Sequence, residues 1–150
     1  MDCISSKLEI NYRLDRTKEI ERELISSKNY KLLADIEGEL QIYINRELFF
    51  SDDYILILEF GISLIKWLEN IDRNNIIDYS YSTMDYNDGP ILELIFNSLG
   101  LVSIRSEWQK FRCDEQFNFK EIRKAIEKFL ESFKKDLQSE YEINITDFVK

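Results

Sequence analysis

A strict alternation of apolar and polar residues between residues 35 and 44 constrains the fold of this chain more than any other feature. The even-numbered positions are apolar or glycine: Ile36, Gly38, Leu40, Ile42 and Ile44. The odd-numbered positions are polar: Asp35, Glu37, Glu39, Gln41 and Tyr43. A period of two predicts a β-strand with one face on a core and the other in water. A tight turn at Asn45-Arg46 should lead into a short return strand over residues 48–50.

The segment after this hairpin is too apolar for a surface helix. It reads YILILEFGISLIKWLEN from Tyr54 and follows Ser51-Asp52-Asp53, residues that often begin helices. Glu59 and Lys66 interrupt it, and a membrane span needs roughly 20 apolar residues. We therefore predict a core helix that buries Trp67 against the sheet.

The remaining pattern predicts a single α+β domain over residues 1–150, with a short C-terminal tail at about 140–150. Its sheet should be antiparallel and twisted, with about five to seven strands and helices packed on one face. The last helix should begin at the N-cap Asn118 and run to about Ser139. The other predicted elements are a strand from Lys7, a helix at about 16–28, strands at 76–84, 91–96 and 102–108, and a possible short strand at 110–114.

The net charge of −9 is concentrated in the middle of the chain, because residues 31–97 carry the whole excess of acidic groups. Such a field repels nucleic acids and membrane surfaces and attracts a basic partner, although acidity also serves solubility. The N-terminus shows no signal-peptide pattern, and Cys3 and Cys113 suggest no disulfide framework. We expect a cytoplasmic protein with free thiols; its oligomeric state stays open.

The sequence lacks the residues of the common catalytic sites. It contains no histidine, which excludes Ser-His and Cys-His catalytic pairs, and no glycine-rich phosphate loop. Residues 85–89 superficially resemble a calcium loop, but the ligand spacing and the closing glutamate are missing. We therefore expect no catalysis, no cofactor and no metal site.

The acidic side of the predicted strand is the best candidate for binding. Asp35, Glu37 and Glu39 should share the solvent face, and clustered like charges there are explained more easily by a basic partner than by folding. Tyrosines beside carboxylates suit an interface that receives basic side chains, whereas Tyr79 and Tyr81 should fill the core. The predicted partner-binding residues are Asp35, Glu37, Glu39, Tyr43, Asp85, Tyr86 and Asp88.

Four short motifs resemble a group of small uncharacterised bacterial proteins of the polymorphic-toxin immunity type. They are Trp67-Leu68, Tyr81-Ser82, Asp85-Tyr86 and Ser106-Glu107-Trp108. The resemblance covers about residues 30–135 and implies a cytoplasmic immunity protein that binds and occludes a cognate toxin, with no catalytic residue. The alternatives are a regulatory or accessory module that binds another protein and, less favoured, a metal-dependent hydrolase that uses carboxylates.

Overall fold

The computed structural model describes residues 7–82 and 90–149. Within these ranges the chain forms six strands and four α-helices, which confirms the predicted α+β class. The elements in chain order are β1 (Leu8–Leu14), α1 (Arg22–Ser26), α2 (Leu32–Asp35), β2 (Glu37–Ile44), β3 (Glu47–Leu56), α3 (Ile57–Asp72), β4 (Tyr79–Tyr81), β5 (Leu92–Phe96), β6 (Val102–Arg105), α4 (Phe119–Tyr141) and a 3-10 helix (Ile145–Phe148).

The first sheet is antiparallel, with β2 between β1 and β3. Half-buried and buried residues alternate along the whole of β2, from Glu37 to Ile44, as the sequence pattern predicts. The chain reverses through Asn45 and Arg46, whose φ angles of 50° and 70° are typical of a tight hairpin turn. The predicted hairpin is therefore confirmed.

A bulge in β3 buries two consecutive aromatic rings in the same core. Ile42 pairs with Phe50 and Tyr43 pairs with Leu48, so Phe49 is an extra residue without a partner of its own in β2. A bulge rotates the strand locally, which removes the strict alternation of faces. Phe49 and Phe50 are accordingly both fully buried.

The remaining strands form a second antiparallel sheet in the order β4-β5-β6, so the prediction of one continuous sheet is wrong. The free edge of β3 is occupied by the irregular segment 106–116, whose Lys110 N–H donates to the carbonyl of Phe49 at 2.8 Å. Trp108 stacks on Phe50, and Phe111 meets the ring of Phe49 edge-on. Because this segment covers the edge, β6 cannot extend the first sheet there. The predicted strand at 110–114 is also wrong.

Two helices start later than predicted because aspartates make turns within the chain before them. The Asp52 carboxylate accepts from the Tyr54 N–H at 2.7 Å, and β3 continues to Leu56 before α3 begins. The Asp15 carboxylate accepts from the Thr17 N–H at 3.0 Å. The helix predicted at 16–28 is replaced by the short helices α1 and α2.

The last helix begins as predicted, since the Asn118 side chain accepts from the Lys120 N–H at 3.0 Å. It ends at Tyr141, where Glu142 takes a positive φ of 56° and reverses the chain. The segment that follows is packed, because Ile143, Ile145 and Phe148 are buried. The segment predicted as a short C-terminal tail thus packs against the rest of the fold.

The core joins both sheets to α3 and α4. Trp67 is buried as predicted, and its indole N–H donates to the Ile77 carbonyl at 2.8 Å. Tyr79 and Tyr81 are also buried, as predicted. Gly61 lets the helices approach closely, since a Cβ there would lie 3.1 Å from the Phe133 ring. No helix within the described ranges has the length and apolar character required to cross a membrane.

Candidate protein-binding face

The face of the first sheet that points away from the core carries acidic and tyrosine side chains. Register and alternation place Glu37, Glu39 and Tyr43 of β2 on this side, each half-buried. β3 adds Asp53 and Tyr54, which are both exposed. We call these five residues the acidic face.

A second bulge in β3 brings the two β3 residues beside Glu39. Leu40 pairs with Asp52 and Gly38 pairs with Ile55, so Glu39 lies opposite two residues, Asp53 and Tyr54. The turn in which Asp52 accepts from the Tyr54 N–H holds this bulge. Bulges often redirect side chains next to functional sites. Here the bulge leaves the Tyr54 ring 78% exposed.

Two of the predicted carboxylates are partly neutralised by a lysine that the sequence analysis did not consider. Lys18 Nζ lies 2.7 Å from Glu37 Oε1 and 4.0 Å from Asp35 Oδ1. The hydrogen bond to Glu37 raises the pKa of Lys18, so the ammonium group keeps its proton at neutral pH. Asp35 itself ends α2 and does not lie on β2, contrary to the prediction.

Strand β1 also mixes both signs of charge into this face. Arg13 is the register partner of Glu39, and Lys7 Nζ lies 3.7 Å from Glu9 Oε1. Cations of β1 therefore lie among the carboxylates on this side of the sheet. Within the described ranges, Glu39 and Asp53 take part in no ion pair, so negative charge remains concentrated at the bulge.

The predicted residues thus fall into three groups. Glu37, Glu39 and Tyr43 share the acidic face, and the Tyr43 hydroxyl donates to Gln41 Oε1 at 3.4 Å. Asp35 lies at the adjoining end of α2. Asp85, Tyr86 and Asp88 lie outside the described residues.

Sequence reasoning missed Asp53 and Tyr54 because Ser51-Asp52-Asp53 matches the start of a helix. The usable signal was the position of these polar residues between two apolar runs, Leu48–Phe50 and Ile55–Leu58. A polar interruption of a strand pattern often indicates a bulge. The length of the apolar run that follows favours a helix instead.

Two ionisable side chains elsewhere in the described residues, Tyr79 and Cys113, lie in structural contacts. Burial raises the pKa of Tyr79, whose hydroxyl lies 2.6 Å from Ser63 Oγ. Burial also raises the pKa of the free thiol of Cys113. Among the residues that the structure describes, no group of three or more histidine, cysteine, aspartate or glutamate side chains is placed to hold a metal ion.

A family model covers most of the chain. It matches residues 10–139 and is described as a domain of unknown function, DUF7878, so the chain belongs to that family. The matched range includes most of β1, the acidic face and nearly all of α4. Comparisons with curated proteins and with solved structures find no match.

Proposed function

We propose that this protein is a bacterial, cytoplasmic immunity protein that binds a basic toxin domain through the acidic face and occludes the toxin's active site. The observation that carries the proposal is the bulge that sets Asp53 and Tyr54 beside Glu39 on an open sheet face. An exposed tyrosine next to unpaired carboxylates is a suitable surface for arginine and lysine side chains. The resemblance of the sequence to immunity proteins supports the same reading.

The charge distribution suits rapid association with such a partner. The net charge of −9 and its concentration in residues 31–97 would attract a basic surface over a distance. Toxins that cut nucleic acid carry basic surfaces around their active sites, and an acidic inhibitor can occupy the place of the substrate. Charges at such an interface act mainly on the association rate and its salt dependence.

Lys18 shifts the expected centre of binding along the sheet. Because Asp35 and Glu37 already share this cation, they offer less attraction to a partner than Glu39 and Asp53 do. The proposal therefore places the centre of the interface at Glu39, Asp53 and Tyr54, with Tyr43 beside them.

The test starts from the gene directly upstream in the source genome, which the proposal predicts to encode a basic toxin domain. That domain is expressed with and without this protein, growth is measured, and association of the purified proteins is followed at low and high salt. The double variant Glu39→Lys with Asp53→Lys should associate about tenfold more slowly or worse at low salt, since steering is lost. Protection should fall with it.

A matched control makes the same change of charge on the other side of the molecule. Glu131→Lys with Glu142→Lys alters two exposed residues at α4, which packs on the core side of the first sheet. This variant should protect and associate nearly as wild type does. Equal loss in both variants would show that only net charge matters, and full protection by the Glu39/Asp53 variant would place binding elsewhere.

A further inference from the structure

Strand β1 forms an open edge of the first sheet. Among the described residues it pairs with β2 on one side only, and α4 crosses the core face beside it. The Tyr12 ring contacts Phe129 and Phe133 edge-on, and its hydroxyl donates to the Asp136 carboxylate. These side-chain contacts hold β1 against α4 but leave the backbone of the strand unpaired at the edge.

The hydrogen bonds at the two ends of β1 show which of its backbone amides face β2 and which face the open edge. The Lys7 carbonyl accepts from the Asn45 N–H at 2.8 Å, and the Asp15 N–H donates to the Glu37 carbonyl at 2.9 Å. Residues alternate in direction along an antiparallel pair, so the odd-numbered amides face β2 and the even-numbered amides face the edge. In the described part of the chain, no group bonds the backbone amides of Ile10 and Tyr12.

A groove of about 480 Å³ runs between this edge and α4. Its floor includes the half-buried side chains of Ile10 and Tyr12. Its rim is charged, and the cations outnumber the carboxylates: Lys7, Lys124 and Lys128 against Glu9 and Glu121. Lys124 and Lys128 are exposed and form no ion pair with any described residue, so both ammonium groups are available to a partner.

We propose that this groove binds an extended, acidic segment of another protein, which adds to β1 as a fourth strand. Main-chain bonds to the free amides of Ile10 and Tyr12 would supply affinity, as in other cases of strand addition. Alternate side chains of the added strand would point toward α4, where carboxylates meet Lys124 and Lys128. None of the five residues of the acidic face lines the groove, so this inference does not depend on toxin binding.

Charge favours an acidic partner over a second copy of this chain. Two copies joined through their β1 edges would bring the groove-facing sides of both α4 helices together. Lys124 and Lys128 of one copy would then approach the same residues of the other, and like charges in contact are unfavourable. Lysines near an edge strand can also have the single role of preventing aggregation. The experiment therefore includes a result that separates this role from peptide binding.

The probe is a blocked synthetic peptide that alternates valine and glutamate and matches the seven residues of β1 in length. The control peptide has the same length and alternates valine and lysine. Amide hydrogen exchange of Ile10 and Tyr12 should slow by about tenfold or more with the glutamate peptide, because a bonded amide exchanges only when the added strand opens. The lysine peptide should leave both amides unprotected.

Charge reversal on α4 tests the proposed pairing. Lys124→Glu with Lys128→Glu should weaken binding of the glutamate peptide by about tenfold and favour the lysine peptide. Lys134→Glu with Lys135→Glu is the matched control, since these two exposed lysines line a different side of α4. The control variant should bind the glutamate peptide as wild type does.

Three results would overturn the proposal. One is absence of protection at Ile10 and Tyr12 with the glutamate peptide. Another is protection of the same amides by self-association as protein concentration rises, which would make a second copy the occupant. The third is a combination of two observations: the Lys124/Lys128 variant aggregates, and the wild-type protein binds neither peptide. The two lysines would then serve to prevent aggregation at the β1 edge.

Discussion

The two edges of the first sheet are completed in different ways. At β3, the chain's own segment 106–116 covers the edge with a backbone hydrogen bond to Phe49 and with the rings of Trp108 and Phe111. At β1, the edge-facing amides of Ile10 and Tyr12 meet no partner among residues 7–82 and 90–149, and lysines of α4 stand nearby. One edge therefore contributes to folding, whereas the other is accessible to another molecule.

Residues at the covered β3 edge should therefore stabilise the fold, whereas residues at the open β1 edge should tolerate substitution with little loss of stability. Covering an edge buries apolar area and satisfies backbone groups, which contributes to the free energy of unfolding. An open edge contributes less but keeps unpaired donors and acceptors that a partner strand can use. The following variants test the comparison from the largest expected effect to the smallest.

Truncation of Phe49 should have the largest effect on stability. The side chain is fully buried, and Phe49→Ala should lower the free energy of unfolding by about 3–5 kcal/mol through lost burial and the cavity left behind. Urea unfolding measures this. The matched change at the open edge is Ile10→Ala, which removes a half-buried side chain and should cost less than about 2 kcal/mol. Equal costs would contradict the comparison.

Removal of the Tyr12 hydroxyl tests what holds β1 in place. Tyr12→Phe leaves the Asp136 carboxylate without this donor and should cost about 1.5–3 kcal/mol, as for hydrogen bonds to charged groups. Urea unfolding at neutral pH checks the value. A cost below about 0.5 kcal/mol would show that packing on Phe129 and Phe133 alone fixes the strand.

The same tyrosine predicts a loss of stability at alkaline pH. Burial and the Asp136 carboxylate raise the pKa of Tyr12 above its ordinary value of 10.0, so the folded state keeps the proton longer than the unfolded state does. The stabilising contribution is complete below pH 10 and is lost as pH rises above it. Tyr12→Phe should lose stability less steeply in this range. Tyr79, Tyr141 and Cys113 contribute to the decline that remains, because their pKa values are also raised.

Loss of the Ser106 hydroxyl should destabilise the segment 106–116 at the β3 edge. The expected cost in free energy of unfolding is smaller than that of Tyr12→Phe. Ser106 is buried, and its Oγ accepts from the Trp108 N–H at 3.0 Å. Ser106→Ala should cost about 0.5–1.5 kcal/mol and shift Trp108 fluorescence toward that of an exposed indole. Ser132→Ala, an exposed serine beside the open groove, is the control and should change neither measurement.

Removal of the Lys18 ammonium should have the smallest effect on stability. Its bonds to Asp35 and Glu37 are partly exposed to solvent, and exposed ion pairs contribute about 0–1 kcal/mol. Lys18→Ala should therefore leave the urea midpoint nearly unchanged while removing a positive charge beside the acidic face. A decrease in the free energy of unfolding above about 2 kcal/mol would mean that Lys18 anchors α2 to β2. Lys18, Asp35 and Glu37 would then stabilise the fold and would not be free to change.

The candidate site could be predicted only in part from the sequence. Alternation alone places Glu37, Glu39 and Tyr43 on the solvent side of β2, because side chains of a strand alternate regardless of its neighbours. The positions of Lys18 and Arg13 beside them depend on how distant segments pair. Asp53 and Tyr54 join Glu39 through a bulge, which depends on the register between two strands.

The sequence by itself determined the elements whose signals lie among neighbouring residues. The β2 hairpin, the buried Trp67 and the Asn118 cap all follow from periodicity, turn residues and hydrogen bonds over a few positions. Only the tertiary structure decided that the strands divide into two sheets, that residues 106–116 cover β3 and that β1 stays open. These outcomes depend on which distant segment reaches each strand edge, and edge backbone groups are alike in every strand. Local sequence therefore carries no signal for the choice, and packing of whole elements settles it.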